Sequence, residues 1–385
     1  VLLDEAMQLR ESGKFDEAII LLKDELTRTP QDVSVLALLS HCYILNDDIE
    51  QATLYLDKAK SIDPKNASVG WNEVRLLQKK NCAEEALNTA RSFNERFPED
   101  VEGIGVLGSC LRASNEIEES LLYLNKAIEL NPNYAEALIN RALIYLTQND
   151  KAEALADLEK AHELKSHLKQ IWGFVIDLKM EFKQFSEVIP LLENMAEIEP
   201  NNEKHFLSLA FCNQNLGNLD LAIESYEKAL KIMPSDADAY YNMAIALRNQ
   251  DKLEEAIKVY KKALKIKPDY AEAHNNIGNI LQGQGKLKEA LEAYQKALEI
   301  KPDYAETYYN MGNVLKEKGN ITEAVKSFRK AIHFKPDYVA ALNNIGNIQK
   351  EQNDWEGAIA SYKNAIKIQS DYIEAHNNLG VVLHK

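Results

Sequence analysis

The sequence predicts an all-α solenoid made of one short helix–turn–helix unit repeated end to end. Three observations carry this. Prolines stand at 30, 64, 98, 132, 200, 234, 268, 302 and 336, spaced by 34 residues or a multiple of it, with Ser166 and Ser370 in the two empty slots. A slot for Gly, Asn or Asp keeps the same period: Gly13, Asp47, Asn81, Asn115, Asn149, Gly217, Asp251, Gly285, Gly319 and Asn353, with Lys183 the one exception. Five residues later a small residue recurs, from Ala18 through Ser120 to Ala358, broken only by Val188. An unbroken 34-residue period across 385 residues means that each copy buries its apolar face on its neighbours. Function is then to be sought on the surface of the stack, not in a single catalytic pocket.

Residues 271–304 show the elements in order. His274, Ile277, Gly278 and Leu281 share one face of a first helix. Gly285 makes the turn, because Gly, Asn and Asp tolerate a left-handed backbone at a helix end. Ala290, Tyr294 and Ala297 repeat the helical spacing on a second helix, whose small residues allow close approach, and Pro302 stops it. At the helix starts, Asp269 precedes Glu272, Asp303 precedes Glu306, Asn133 precedes Glu136 and Asp371 precedes Glu374, each by three residues. That spacing predicts a capping box with Asp or Asn in the leading position.

The 34-residue length, the bulky residue at His274, the Ile277-Gly278 pair, Ala290, Tyr294, Ala297 and Pro302 resemble the tetratricopeptide repeat over essentially the whole chain. The resemblance implies a right-handed superhelix whose first helices line the concave side. Eleven units are read, followed by an orphan first helix at 373–385. Both ends cut through a helical pair, as expected of a piece of a longer chain. Units 67–100 and 169–202 are degenerate. The second collects Lys183 in the left-handed slot, Lys179 in an apolar slot, Val188 and Met195 for small residues, and Pro190 inside a helix. The domain reading is therefore 1–168 for acidic N-terminal repeats, 169–202 for an irregular repeat that serves as a joint, and 203–385 for regular repeats.

Composition narrows the partners. Residues 201–385 carry 24 acidic and 24 basic residues, so the net charge of −15 rests on residues 1–200, with 36 acidic and 21 basic. An acidic N-terminal half is poorly suited to nucleic acid or an anionic membrane. No apolar run reaches a membrane span, and the opening VLLDEAMQLR is not a signal peptide; a cytoplasmic location is the expectation. Cys42, Cys110 and Cys212 share one first-helix slot and read as packing residues, with Cys82 apart. No spacing suggests a metal site, disulfide framework, phosphate loop or nucleophile motif, so no cofactor, metal or catalytic residue is expected in this chain.

Two first-helix slots, one turn apart, are expected to face the groove. Along the chain they read Leu207/Phe211, Tyr241/Ile245, Asn275/Asn279, Tyr309/Asn313, Asn343/Asn347 and Asn377/Val381. The middle of the groove is apolar and aromatic; the C-terminal part turns to asparagine. A neighbouring slot adds Asn242, Asn276, Asn310, Asn344 and Asn378. A carboxamide can meet both the N–H and the C=O of an extended backbone, so a row of them suits a polypeptide held with little regard for its side chains. These blocks, AHNNIGN at 273–279, YYNMGN at 308–313 and LNNIGN at 342–347, are similar to the repeats of the O-GlcNAc transferase family and its bacterial relatives. That resemblance implies an asparagine ladder at Asn276, Asn310, Asn344 and Asn378. The slot of Asn275 never holds the lysine of a carboxylate clamp.

Two function classes follow. One is a non-catalytic scaffold that binds extended polypeptide in its groove. The other is the substrate-recruiting arm of a larger enzyme, a protein glycosyltransferase, whose catalytic domain would follow Lys385. Weak self-association through open stack ends is a third expectation.

Overall fold

The computed structural model describes residues 2–165 and 168–384; Ser166, in its proline slot, lies outside the described residues. Among the described residues there are twenty-three α-helices and no strand. The chain divides into two compact units, Val1–Leu191 and Leu192–Lys385. The first contains α1 (Leu2–Glu11), α2 (Phe15–Arg28), α3 (Val33–Leu45), α4 (Ile49–Ile62), α5 (Ala67–Lys79), α6 (Ala83–Arg96), α7 (Val101–Ala113), α8 (Ile117–Leu130), α9 (Ala135–Gln148), α10 (Lys151–Leu164) and α11 (Lys169–Glu181). The division falls inside α12 (Phe185–Ile198), directly after Pro190 and Leu191. The second unit continues with α13 (Glu203–Asn215), α14 (Leu219–Ile232), α15 (Ala237–Asn249), α16 (Leu253–Ile266), α17 (Ala271–Gly283), α18 (Leu287–Ile300), α19 (Ala305–Glu317), α20 (Ile321–Phe334), α21 (Val339–Glu351), α22 (Trp355–Ile368) and α23 (Ile373–Leu383).

Each pair of helices is a hairpin closed by one left-handed residue. All eleven turn slots have positive φ, from Gly13 at 79° to Asn353 at 62°. Lys183 adopts the same conformation at φ 58°, so packing of the flanking helices imposes on a lysine the backbone that Gly and Asn take up at little cost.

Close approach within a hairpin depends on a glycine in the first helix meeting a ring from the second. A Cβ on Gly278 would lie 2.5 Å from the ring of Tyr294. Gly312 stands in the same relation to Phe328, and Gly346 to Tyr362. The small slot of the second helix is fully buried, and so is Val188, the residue that breaks its pattern. Lys179 is buried as well, held by Glu159 from α10 and Glu187 from α12.

The expected capping boxes do not form. Tyr134, Tyr270, Tyr304 and Tyr372 occupy the N-cap position, and none of these four helices has a side-chain cap. The preceding Asn133, Asp269, Asp303 and Asp371 stand one residue too early. Side-chain caps occur instead where Asp or Asn adjoins the helix directly, as at Asp32, Asn66 and Asp236.

Successive first helices touch directly in unit 1, from α1 through α9, and also as α17 with α19 and α21 with α23. Among the described residues, successive second helices make no comparable contact. The first helices therefore form the inner, shorter side of each stack. No described helix is long and apolar enough to cross a membrane.

Candidate functional site

The inner side of unit 2 carries the asparagines, and the structure sorts them into three columns. The first contains Tyr241, Asn275, Tyr309, Asn343 and Asn377. The family resemblance implies that this column faces the groove, but Asn275 is 1% exposed and Asn343 7%. Both are corrected to buried residues at the joint between repeats. Tyr241 and Tyr309 in the same column are half-buried and Asn377 is exposed. Tyr241 stacks on Tyr270 with centroids 4.6 Å apart, and Tyr309 on Tyr338 at 4.9 Å. A tyrosine pair and a buried amide thus alternate from repeat to repeat.

The second column is Asn242, Asn276, Asn310, Asn344 and Asn378, all half-buried. Four of these donate their amide hydrogens sideways into the protein. Asn310 Nδ2 donates to Asn279 Oδ1 at 3.0 Å and to Asn275 Oδ1 at 3.2 Å. Asn344 Nδ2 donates to Asn313 Oδ1 at 2.9 Å, and Asn378 Nδ2 to Asn343 Oδ1 at 3.0 Å. Asn276 Nδ2 donates to the hydroxyls of Tyr241 and Tyr260. The third column is Asn279, Asn313 and Asn347. Their Oδ1 atoms accept, from Tyr294 and Asn310 at Asn279, from Asn344 at Asn313 and from Tyr362 at Asn347.

In these lateral bonds the second-column amides use Nδ2 and the third-column amides Oδ1. The Oδ1 atoms of Asn276, Asn310 and Asn344 receive no donor among the described residues and are not buried. The Nδ2 groups of Asn279, Asn313 and Asn347 find no acceptor among the described residues and are not buried either. Unit 2 therefore presents a column of free acceptors beside a column of free donors. Asn242 forms no side-chain hydrogen bond among the described residues. Burial raises the hydroxyl pKa of Tyr241, and that of Tyr260 to about 12, so both stay protonated around the ladder at neutral pH.

Leu207, Tyr241 and Ile245 pack half-buried against the hydrophobic core, and Phe211 is exposed beside them. The sequence reading missed the turn tyrosines Tyr270 and Tyr338, which complete the aromatic pairs. Their signal was the Asp-Tyr that precedes α17, α19, α21 and α23, assigned to capping at Asp269, Asp303 and Asp371. It also passed over His41 and Arg75, which stand 34 residues apart in the slot that Asn279 fills in unit 2. Among the described residues no group of His, Cys, Asp and Glu is arranged to hold a metal ion.

The family described as TPR repeat matches residues 108–149, 215–251, 246–285, 283–319, 312–353 and 346–385, more than half of the chain. Tetratricopeptide repeat descriptions also match 9–72 and 135–167. The chain belongs to the tetratricopeptide repeat family, whose stacked hairpins serve as protein-interaction scaffolds. These matches leave 1–8, 73–107 and 168–214 uncovered, and most of the irregular sequence lies in the last two.

Among curated relatives, the chain is 29% identical over 124 residues to UDP-N-acetylglucosamine--peptide N-acetylglucosaminyltransferase of Giardia intestinalis, covering 30% of this chain and 8% of that protein. It is 27% identical over 157 residues to the BBSome complex member BBS4 homolog of Drosophila melanogaster, covering 40% and 32%. The chain thus spans a third or less of either relative. Among solved structures it is similar to MamA, at 30% identity over 42% of this chain and 95% of that one, with a TM-score of 0.40.

Proposed function

We propose that this chain is a non-catalytic scaffold that binds extended polypeptide on the inner side of unit 2. The observation that carries the reading is the pair of unsatisfied columns. Free Oδ1 atoms at Asn276, Asn310 and Asn344 suit backbone N–H groups, and free Nδ2 groups at Asn279, Asn313 and Asn347 suit backbone C=O groups. Asn242 and Asn377 extend the polar surface, and Asn378 contributes through its lateral bond to buried Asn343. Leu207, Phe211, Tyr241, Ile245 and Tyr309 add apolar and aromatic contact area and some side-chain preference. Each net hydrogen bond contributes about 0.5–1.5 kcal/mol, part of which offsets the ordering of the peptide.

The test leaves the protein unaltered. Calorimetry compares an extended peptide, a copy with its side chains scrambled, and a copy N-methylated at alternate backbone nitrogens. The first two are expected to bind within a few-fold of one another and the third at least ten-fold more weakly. Equal binding of the N-methylated peptide would sink the ladder. A quadruple Asn→Ala variant at 276, 310, 344 and 378 is a weaker test, because those side chains also tie repeats together.

The similarity to a peptide N-acetylglucosaminyltransferase favours one elaboration. In a longer chain these repeats would recruit polypeptide substrate to a glycosyltransferase domain. Demonstrating that activity requires assaying the full-length protein.

A further inference from the structure

The outer face of unit 1 departs from that of unit 2 at one slot of the second helices. This slot points to solvent and reads Ile20, Leu54, Asn88 and Leu122 from α2 to α8, then Ala156 in α10. In unit 2 the same slot holds Glu224, Lys258, Glu292 and Lys326, with Ala360 last. Ile20 is 70% exposed, Leu54 44% and Leu122 68%. Folding does not call for them, because Lys and Glu match Leu in helix propensity and exceed Ile. Unit 1 thus sets an apolar row where unit 2 keeps charge.

The charge around the row differs as well. The second helices from α2 to α10 carry 16 acidic and 9 basic residues, whereas those from α14 to α22 carry 10 and 13. In the turn before the row stand Glu50, Glu84, Glu85 and Glu118, none of them ion-paired among the described residues. Glu17 and Glu119, in that same turn, pair with Lys14 and Arg91. In the turn after the row the basic side chains are already engaged. Lys23 and Lys58 lie over the rings of Tyr43 and Tyr55, Arg91 pairs with Glu116 and Glu119, and Lys126 donates to the Pro98 carbonyl at 3.3 Å. The row is therefore bordered by carboxylates without cations of their own, and two of these, Glu84 and Glu85, line an open depression with Asn88.

We propose that the outer face of unit 1 docks a basic amphipathic helix of a partner protein. Its apolar stripe lies across Ile20, Leu54 and Leu122, and its lysines or arginines meet Glu50, Glu84, Glu85 and Glu118. Charge complementarity selects a basic occupant. The form of the row selects a helix. Its residues stand on separate ridges, since among the described residues successive second helices are not packed on one another, so the occupant has to bridge them. Apart from Asn88 the row offers no carboxamide, so an extended chain gains no backbone bonds there. A helix satisfies its own backbone and presents an apolar stripe with charge on either side. This face lies on the opposite side of the stack from the inner asparagines and belongs to the other unit, so it is independent of the reading proposed for unit 2.

The experiment uses the full chain and the blocked peptide acetyl-(Leu-Lys-Lys-Leu-Leu-Lys-Lys)3-amide, with calorimetry at physiological salt. One control shuffles the same residues so that no apolar face forms, and another carries Glu for every Lys. The amphipathic basic peptide is expected to bind at least about ten-fold more tightly than either. Ile20→Gln, Leu54→Gln and Leu122→Gln together keep helix propensity and are expected to weaken binding at least about ten-fold. Leu221→Gln, an exposed position of α14 in unit 2, is expected to leave it unchanged. Asn88→Leu completes the row and is expected to tighten binding several-fold. Equal binding of either control peptide overturns the proposal. So does binding that the triple variant leaves intact, or that Asn88→Leu fails to tighten. Sedimentation of the chain alone is the last check: self-association that the triple variant abolishes overturns the proposal in favour of a second copy on the row.

Discussion

Asn275→Ala is expected to loosen the joint between the third and fourth hairpins of unit 2, counting α13–α14 as the first. Asn275 Oδ1 accepts from Thr307 Oγ1 at 3.0 Å and from Asn310 Nδ2 at 3.2 Å. Removing it affects the two donors unequally. Asn310 keeps Asn279 as an acceptor, but Thr307 is fully buried and no other side-chain bond holds its hydroxyl. The lost bonds cost about 1 kcal/mol and the stranded hydroxyl about 1–3 kcal/mol more, giving about 2–4 kcal/mol in all. Asn310→Ala removes two bonds yet strands nothing, since Thr307 still serves Asn275 and Tyr294 still serves Asn279; about 1–2 kcal/mol is expected. Stacked repeats open locally, so a whole-chain melting point is a poor readout. Native-state hydrogen exchange over α17 and α19 is the suitable assay. At 1.4 kcal/mol per factor of ten, Asn275→Ala is expected to speed exchange there from about thirty-fold to several hundred-fold. Adding Thr307→Val removes the stranded donor, so the double variant is expected to cost less than the sum of the singles. Additive costs, or an Asn275→Ala variant within about 0.5 kcal/mol of the parent, would refute the reasoning.

Four further outcomes are expected. Gly278→Ala drives a Cβ into Tyr294 and is expected to cost about 1–3 kcal/mol, whereas Gly173→Ala in α11 meets nothing within 4 Å and is expected to gain about 0.8–1 kcal/mol; exchange in each hairpin separates the two. Lys183→Gly relieves a left-handed lysine and is expected to stabilise its hairpin by about 0.5–1 kcal/mol; a loss would show that the Lys183 side chain matters more than its backbone. Amides of 169–202 are expected to exchange faster than those of 271–336, because Pro190 removes a rung from α12; equal protection would end the reading of that repeat as a joint. The folded pKa of His41 lies below its unfolded value, so its contribution is complete above about pH 6.5 and falls as the pH drops below that. Acid titration of exchange in α1 and α3 is expected to show this loss, and His41→Gln to flatten it.

How far the sequence could be read depended on whether a residue's partner lies in its own repeat. Turn position, hairpin closure and the close approach of the two helices at small residues were legible, because one period contains both helices. Asn275 was misplaced because its burial comes from Thr307 and Asn310, one repeat on. Periodicity assigns a face to a residue but does not show what the neighbouring copy lays over it. The capping boxes failed for a related reason. Spacing three residues ahead of a glutamate is necessary for the motif, but the tyrosine between them took the N-cap position and, at Tyr270, turned its ring onto the preceding repeat. His41 was harder still, since Arg10, 3.3 Å from its Nδ1, occupies a different slot of the preceding repeat.

The sideways amide bonds of unit 2 also have a mechanical meaning. Asn310 to Asn279 and Asn344 to Asn313 span neighbouring first helices along the inner edge, where successive second helices on the outer edge have no comparable link. Splaying hairpins apart on the inner side must break side-chain bonds at the four joints from α15 to α23, whereas compressing that side breaks none. Unit 2 is thus built to resist opening more than closing. Under tension these joints would give way one at a time, the joint of α17 with α19 breaking three side-chain bonds and that of α19 with α21 one.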